Sequence, residues 1–396
     1  MFKKFCTTGT CIPEKNYMVN LSDRIQWIRD HYIEEGQYFT INRARQYGKT
    51  TLLYLLEKAL QKDYLVLSLS FEAADEYFQS LDSFAEGFSL DIEDCLRNQN
   101  VEEKLLKEWV MPISEKFPMR SLGFKISQLC RNCNKKVILM IDEVDKSSDN
   151  QIFLSFLGLL REKYLKRQQG KDTTFHSVIL AGVYDIKTLK LKLHPQEESK
   201  YNSPWNIAVD FHLDMSFSVN DIQTMLYEYE REHHTNMDVS KISQILYDYT
   251  SGYPYLVSRI CQILDERLDM NAWTREGILQ AVKLLLKESN TLFDDMTKKL
   301  LDHPQLKEML QNILFGGINF PFKRETPIID LGVTFGFLKD KNGIVAVSNR
   351  IFETQLYEVF LCEMALNNPI YIRAVEDSNQ CKEIEYKGKR IIETVV

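Results

Sequence analysis

No uninterrupted apolar run in the chain approaches the ~20 residues that a bilayer-crossing helix needs. Residues 1–13 carry Lys3 and Lys4 but lack the apolar stretch of a signal peptide. No membrane partner is therefore expected. Glycine and proline are scarce, 16 and 10 among 396 residues, too few for a fibrous or low-complexity chain. The eight cysteines do not make a disulfide scaffold at this length. They fall mostly inside helix-like patterns, so reduced thiols in a cytoplasmic protein are expected. Cys130-x-x-Cys133 has a metal-like spacing without a matching second pair, since Cys6 and Cys11 have four residues between them. It reads as two half-buried thiols at a helix end. His233-His234 lies on a charged helical stretch and reads as a solvated face. Excess positive charge is missing as well. Forty-nine basic against 56 acidic residues leave −7, which argues against a chain that coats nucleic acid or anionic membrane.

Apolar residues make up 44% and charged residues 27%, the balance of a globular chain. At roughly 100–200 residues per domain, the length implies two or three domains. No repeat of fixed period is present. In the first half, strand-like and helix-like stretches alternate. Strands are predicted at 38–42, 64–71, 136–141, 176–182 and 208–215, and helices at 25–32, 49–60, 80–97, 101–109, 120–130 and 152–167. After Lys136 the run to Ile141 is apolar throughout, the signature of a strand buried on both faces. Such alternation predicts an α/β fold with a parallel sheet covered by helices on both sides. From about residue 220, helical patterns follow one another: 222–233, 239–250, 255–267, 275–287 and 292–301. From 303 the order becomes helix (306–314), helix (327–333), a hairpin around Asn342-Gly343, and a closing helix (350–366). Such an order fits a small winged-helix domain.

Chemistry concentrates in two places. The first is Arg43-Ala-Arg45-Gln-Tyr-Gly48-Lys49-Thr50-Thr51, between a short strand and a helix. Backbone N–H groups of such a loop converge on an anion with help from the helix dipole. Lys49 would reach the β- and γ-phosphates, the Thr50 hydroxyl would ligate Mg²⁺, and Gly48 lets the backbone come close. Arg43 stands where the general phosphate-loop pattern has its first glycine. The second place is Asp142-Glu143, at the C-terminal end of a buried strand, the edge where open α/β sheets bind ligands. Asp142 would hold Mg²⁺, and Glu143 would polarise the water that attacks the γ-phosphate. Asp145 is a third acid nearby.

With those two motifs in order, the chain resembles P-loop ATPases of the AAA+/STAND type, and within them bacterial AAA-like ATPases with R-x-R-x-x-G-K-[ST] loops. In that group an arginine often replaces the first glycine, so Arg43 and Arg45 fit it. The resemblance implies ATP and Mg²⁺ as cofactors. It also implies a P-loop core (1–219), a helical lid (220–302), a winged helix (303–368) and a C-terminal extension (369–396). Residues 178–185 resemble the strand that carries a sensor, leaving Tyr184 and Asp185 as its polar candidates. Ser203-Pro-Trp-Asn206 resembles the stretch around the last core strand, and Asn16 to Val19 occupy the place where this class packs against adenine. Gly252-Tyr-Pro254 resembles the lid signature, whose proline sits against the nucleotide. Arg259 is the candidate second sensor and Arg161 the candidate arginine finger.

The function implied is a Mg²⁺-dependent ATP hydrolase that acts as a nucleotide-driven conformational switch, with a protein partner or self-association. The alternative is a nucleotide-gated DNA-binding protein using the winged helix. Local charge disfavours it: residues 304–366 hold six basic residues (Lys307, Lys323, Arg324, Lys339, Lys341, Arg350) against seven acids (Glu308, Glu325, Asp330, Asp340, Glu353, Glu358, Glu363).

Overall fold

The computed structural model describes residues 2–99, 101–147, 151–183, 205–268 and 272–367, with short strands at 385–386 and 389–390. The chain divides into two compact units, Met1–Met215 and Ser216–Val396. The division falls four residues before the 219/220 boundary read from the sequence.

The first unit opens with a short parallel pair, β1 (Lys4–Phe5) and β2 (Asn16–Tyr17). Helix α1 (Ser22–Ile28) continues as a π-turn through Arg29–Ile33. Four strands then form one parallel sheet: β3 (Tyr38–Asn42), β4 (Leu65–Ser70), β5 (Val137–Asp142) and β6 (Ser177–Gly182), in the spatial order β3-β6-β5-β4. Every residue of β5 and β6 is buried, which is why their sequences are apolar runs and not alternating patterns. Successive side chains still point to opposite faces. Leu65, Leu67, Leu69, Val137, Leu139 and Ile141 enter one core with α3 (Leu81–Asn98), α4 (Glu103–Trp109), α5 (Pro118–Asn132) and α6 (Gln151–Gln168). Val66, Ile138 and Met140 enter the other, with α1 and α2 (Lys49–Leu60). Helix α2 therefore leaves β3 onto one face and α6 follows β5 onto the other. In open α/β sheets ligands bind outside the C-terminal ends of such strands.

The fifth strand expected at 208–215 is reduced to a single parallel bridge, Phe39 to Val209, with Val209 N–H donating to the Tyr38 carbonyl at 2.9 Å. The alternation is there, since Val209, Phe211, Leu213 and Met215 all face the second core. Side chains take up carbonyls along the segment. The Tyr32 hydroxyl donates to the Asp210 carbonyl at 3.0 Å, Arg43 to that of Leu213 at 2.6 Å, and Arg24 to that of Met215 at 3.2 Å.

The second unit is helical: α7 (Val219–His233), α8 (Val239–Thr250), α9 (Pro254–Arg267), α10 (Arg275–Leu286) and α11 (Thr291–Asp302). Ser218 and Asp221 form a reciprocal capping box at the start of α7. Gly252 sits between α8 and α9 at φ +73°, and a Cβ there would lie 2.0 Å from the Phe217 carbonyl oxygen, so only glycine fits. Next come α12 (Pro304–Leu314), α13 (Pro327–Thr334), an antiparallel hairpin of β7 (Leu338–Lys341) and β8 (Ile344–Val347), and α14 (Arg350–Asn367). The two-residue turn has Asn342 and Gly343 at φ +55° and +82°, the left-handed pair that an Asn-Gly hairpin requires. Among the described residues, no helix is long and apolar enough to cross a membrane.

Candidate functional site

Strand β3 ends at Asn42, and the chain turns through residues 43–48 before α2 begins at Lys49. Gly48 precedes the helix at φ +79°, and no side chain caps it, so the first-turn N–H groups are left without a side-chain acceptor at the cap. Lys49 is only 6% exposed. Its ammonium donates to the carbonyls of Arg43 at 3.1 Å and Ala44 at 3.2 Å. Burial holds its pKa below the usual lysine value, and the charges of Asp145, Glu143 and Asp142 resist that shift. A desolvated cation resting on neutral carbonyls is a ready partner for an anion.

The acidic strand end meets this loop directly. Across ninety-two residues of sequence, the Thr50 hydroxyl donates to Asp142 Oδ2 at 2.6 Å. The other oxygen of Asp142 accepts the Glu143 N–H at 2.9 Å. Glu143 itself has φ +55°, a left-handed backbone that L-residues adopt at a cost. Burial raises its carboxyl pKa above the ordinary value; Lys49 opposes this, while Asp142, Asp145 and Glu72 add to it. Hydroxyl and carboxylate side by side make a hard-oxygen pair. That pair fits Mg²⁺, which typically takes one or two protein oxygens and completes its shell with water and phosphate.

The other residues singled out in the sequence are dispersed. Arg43 turns away from the loop: it donates to the Asn42 and Leu213 carbonyls at 2.7 and 2.6 Å and lies 5.7 Å from the Phe211 ring centre. Its side chain thus fastens the 208–215 segment. Arg45 is exposed. The Thr51 hydroxyl accepts the Cys11 N–H at 3.1 Å, which brings the N-terminal loop against the start of α2, while Tyr17 and Val19 are buried. Arg161 is half-buried on α6, its Nε without a hydrogen-bond partner. Pro254 begins α9 in the second unit, and Arg259 on that helix is clasped by both oxygens of Glu288 at 2.8 Å. Tyr184 and Asp185 lie outside the described residues. His233 stacks on the Tyr229 ring with centroids 4.2 Å apart. Cys130 and Cys133 are free thiols.

Two contributors escaped the sequence reading. Glu72, just past β4, adds its charge at Glu143. A lone acid after a buried strand was the available signal. Gly182, at the end of β6, makes room for Asp145, whose Oδ1 would lie 2.6 Å from a Cβ at that position. No sequence periodicity reports such a contact.

The fold is that of P-loop ATPases. A Walker-type ATPase of Pyrococcus abyssi superposes with a TM-score of 0.56 at 12% identity, over 89% of this chain and 99% of that one. The Aeropyrum pernix ORC2 protein in its ADPNP–ADP complexes gives 0.45 at 12% identity, over 89% and 97%. The RuvB Holliday junction branch migration motor of Thermotoga maritima gives 0.40 at 11% identity, over 85% and 94%. Such identities speak to the fold alone. No curated protein matches the sequence. The AAA-like domain matches residues 15–358, from just before β2 into α14, and so takes in the loop, the acidic strand end and the helices of the second unit. The chain belongs to the AAA-like domain family.

Proposed function

We propose that this chain binds ATP with Mg²⁺, hydrolyses it, and uses the change of nucleotide to switch conformation in the cytoplasm. The observation that carries the reading is the 2.6 Å bond between Thr50 and Asp142, which joins the phosphate-loop threonine to the acidic strand end. Lys49 exchanges its carbonyl partners for the β- and γ-phosphates, a stronger, charge-assisted pairing. Gly48, Thr50 and Thr51 present the first-turn amides. Thr50 and Asp142 would hold Mg²⁺, which would neutralise the charge of the phosphates when bound. Glu143 accepts a proton from the attacking water, a role suited to a carboxyl whose pKa is raised by burial. Arg43 serves by holding the loop to residues 211–213, and Arg45 is left as the exposed loop cation.

On this reading 220–302 is the lid, 303–368 a winged helix and 369–396 an extension. Pro254 is the lid position nearest in pattern to a nucleotide contact. Arg259 belongs to the packing of the lid, because Glu288 already engages its guanidinium. Arg161 and Asp185 are assigned no role. The winged helix docks on protein, a partner or a second copy. Of its six cations, Lys307 and Arg324 are paired with the carboxylates of Glu363 and Asp330, and across residues 304–366 seven acids outnumber the six cations. Few charges remain to displace counterions from DNA.

Titration calorimetry with ATP and Mg²⁺ tests the reading. Lys49→Ala should weaken ATP at least tenfold, about 1.4 kcal/mol. Equal affinity in the variant would remove the phosphate-loop assignment. Duplex DNA should bind no tighter than the non-specific range of about 10⁻⁴–10⁻⁶ M at physiological salt. Nanomolar, sequence-selective binding that collapses in Lys323→Ala/Arg324→Ala would favour the DNA-binding alternative.

A further inference from the structure

We infer that Asp145 is a positioning residue: it latches the turn that carries Glu143 onto the end of β6, and Gly182 is the space left for the latch. The inference deepens the ATPase reading and depends on it for its kinetic consequence, while the latch itself stands on geometry.

Three observations meet here. The backbone of Glu143 is left-handed, φ +55°, a conformation that costs an L-residue free energy and persists only where its surroundings impose it. On the N-terminal side, Asp142 Oδ1 accepts the Glu143 N–H at 2.9 Å. On the C-terminal side Val144 is fully buried, and Asp145 Oδ2 accepts the N–H of Val183, thirty-eight residues away, at 2.5 Å. The turn is therefore tied to the sheet at both ends. Secondly, β6 ends Ala181-Gly182 and is followed by Val183, so no polar side chain stands at its C-terminal end. Asp145 supplies the polar link from the other side. Thirdly, the fit is close: a Cβ on Gly182 would stand 2.6 Å from Asp145 Oδ1 and 3.0 Å from its Cγ, so any larger residue must displace the carboxylate. Asp145 is also the first of the acids that oppose the desolvation of Lys49.

A latch makes demands that a structural acid does not. The acceptor oxygen matters more than the charge, so asparagine serves where alanine fails. Misplacing a reacting group by about 1 Å can cost 10²-fold in rate without weakening binding. Four variants of the full chain test this: Asp145→Ala, Asp145→Asn, Gly182→Ala, and the Asp145→Ala/Gly182→Ala double. Each is read well below its melting temperature for kcat, KM and ATP Kd, and for hydrogen exchange at the Val183 amide. Asp145→Ala should lower kcat by about ten- to a hundredfold with Kd within about twofold, and should speed Val183 exchange. Asp145→Asn should recover most of both losses. Gly182→Ala should resemble Asp145→Ala, yet add nothing in the double variant, because its obstacle is already gone. The inference is overturned if Asp145→Asn is as slow as Asp145→Ala, if Gly182→Ala costs the same in both backgrounds, or if Val183 exchange is unchanged in Asp145→Ala. A wild-type protein that hydrolyses no ATP would remove the ATPase reading alone; the exchange arm would still decide the latch.

Discussion

Replacing Glu143 by glycine should stabilise the nucleotide-free protein while abolishing hydrolysis. At φ +55° the residue stands in the left-handed region, where an L-residue costs roughly 1–2 kcal/mol more than glycine. Glycine recovers that and loses about 0.4–1 kcal/mol through its freer unfolded chain, which leaves a net gain of roughly 0–1.6 kcal/mol. For a unit of 215 residues, 1 kcal/mol moves Tm by about 2–4 °C. Glu143→Ala keeps the same backbone strain but lacks the carboxylate, so the difference between the glycine and alanine variants isolates the backbone term. The carboxylate has its own pH signature. Burial raises the folded pKa above the unfolded one, so the folded state holds the proton more tightly. Wild-type stability therefore falls as pH rises from the ordinary glutamate value through the raised one, and neither variant shares that fall. Thermal melts of the three proteins across that range, without nucleotide, read both terms. A glycine variant no more stable than the alanine variant would refute the backbone strain. An alanine-to-wild-type difference independent of pH would refute the raised carboxyl.

Three further outcomes follow from the same geometry. Arg43→Ala should cost about 1–3 kcal/mol in urea unfolding, because it strips the Leu213 carbonyl of its donor, yet lower ATP affinity less than Lys49→Ala does; an equal loss of ATP would put its guanidinium on phosphate. Gly252→Ala should destabilise the second unit by about 2–3 kcal/mol or more, since its Cβ would collide with the Phe217 carbonyl, and an unchanged melt would contradict that packing. Asp142→Asn should raise the Mg²⁺ concentration needed for half-maximal hydrolysis more than it raises KM for ATP, and an unaltered Mg²⁺ requirement would take the metal away from Asp142.

Much of this was legible because the physics is local. Residues 38–42 and 49–60 have the bounds read from the sequence, since a short apolar run followed by Gly-Lys-Thr marks both a strand end and a helix start. The strand at 137–142 shows as an apolar run from Val137 to Ile141 because helices cover both faces. What stayed hidden depends on contacts distant in sequence. Residues 208–215 alternate like a strand, but Tyr32, Arg24 and Arg43 take their carbonyls, and no pattern within the segment reveals competitors up to 191 residues away. The sequence shows Arg43 in a glycine position without showing that its side chain turns toward Phe211. The tie from Asp145 to Val183, and the empty Cβ position of Gly182 that permits it, likewise appear only once β5 and β6 lie side by side.

The central claim is that Thr50, Asp142 and Glu143 form one hydrolytic edge facing the Lys49 loop. Glu143→Gln, assayed beside wild type for ATP binding and for phosphate release with Mg²⁺, tests it most directly. The amide preserves shape but cannot take a proton from water. Affinity should stay within about twofold while hydrolysis falls about 10²-fold or more. Hydrolysis at the wild-type rate would contradict the account.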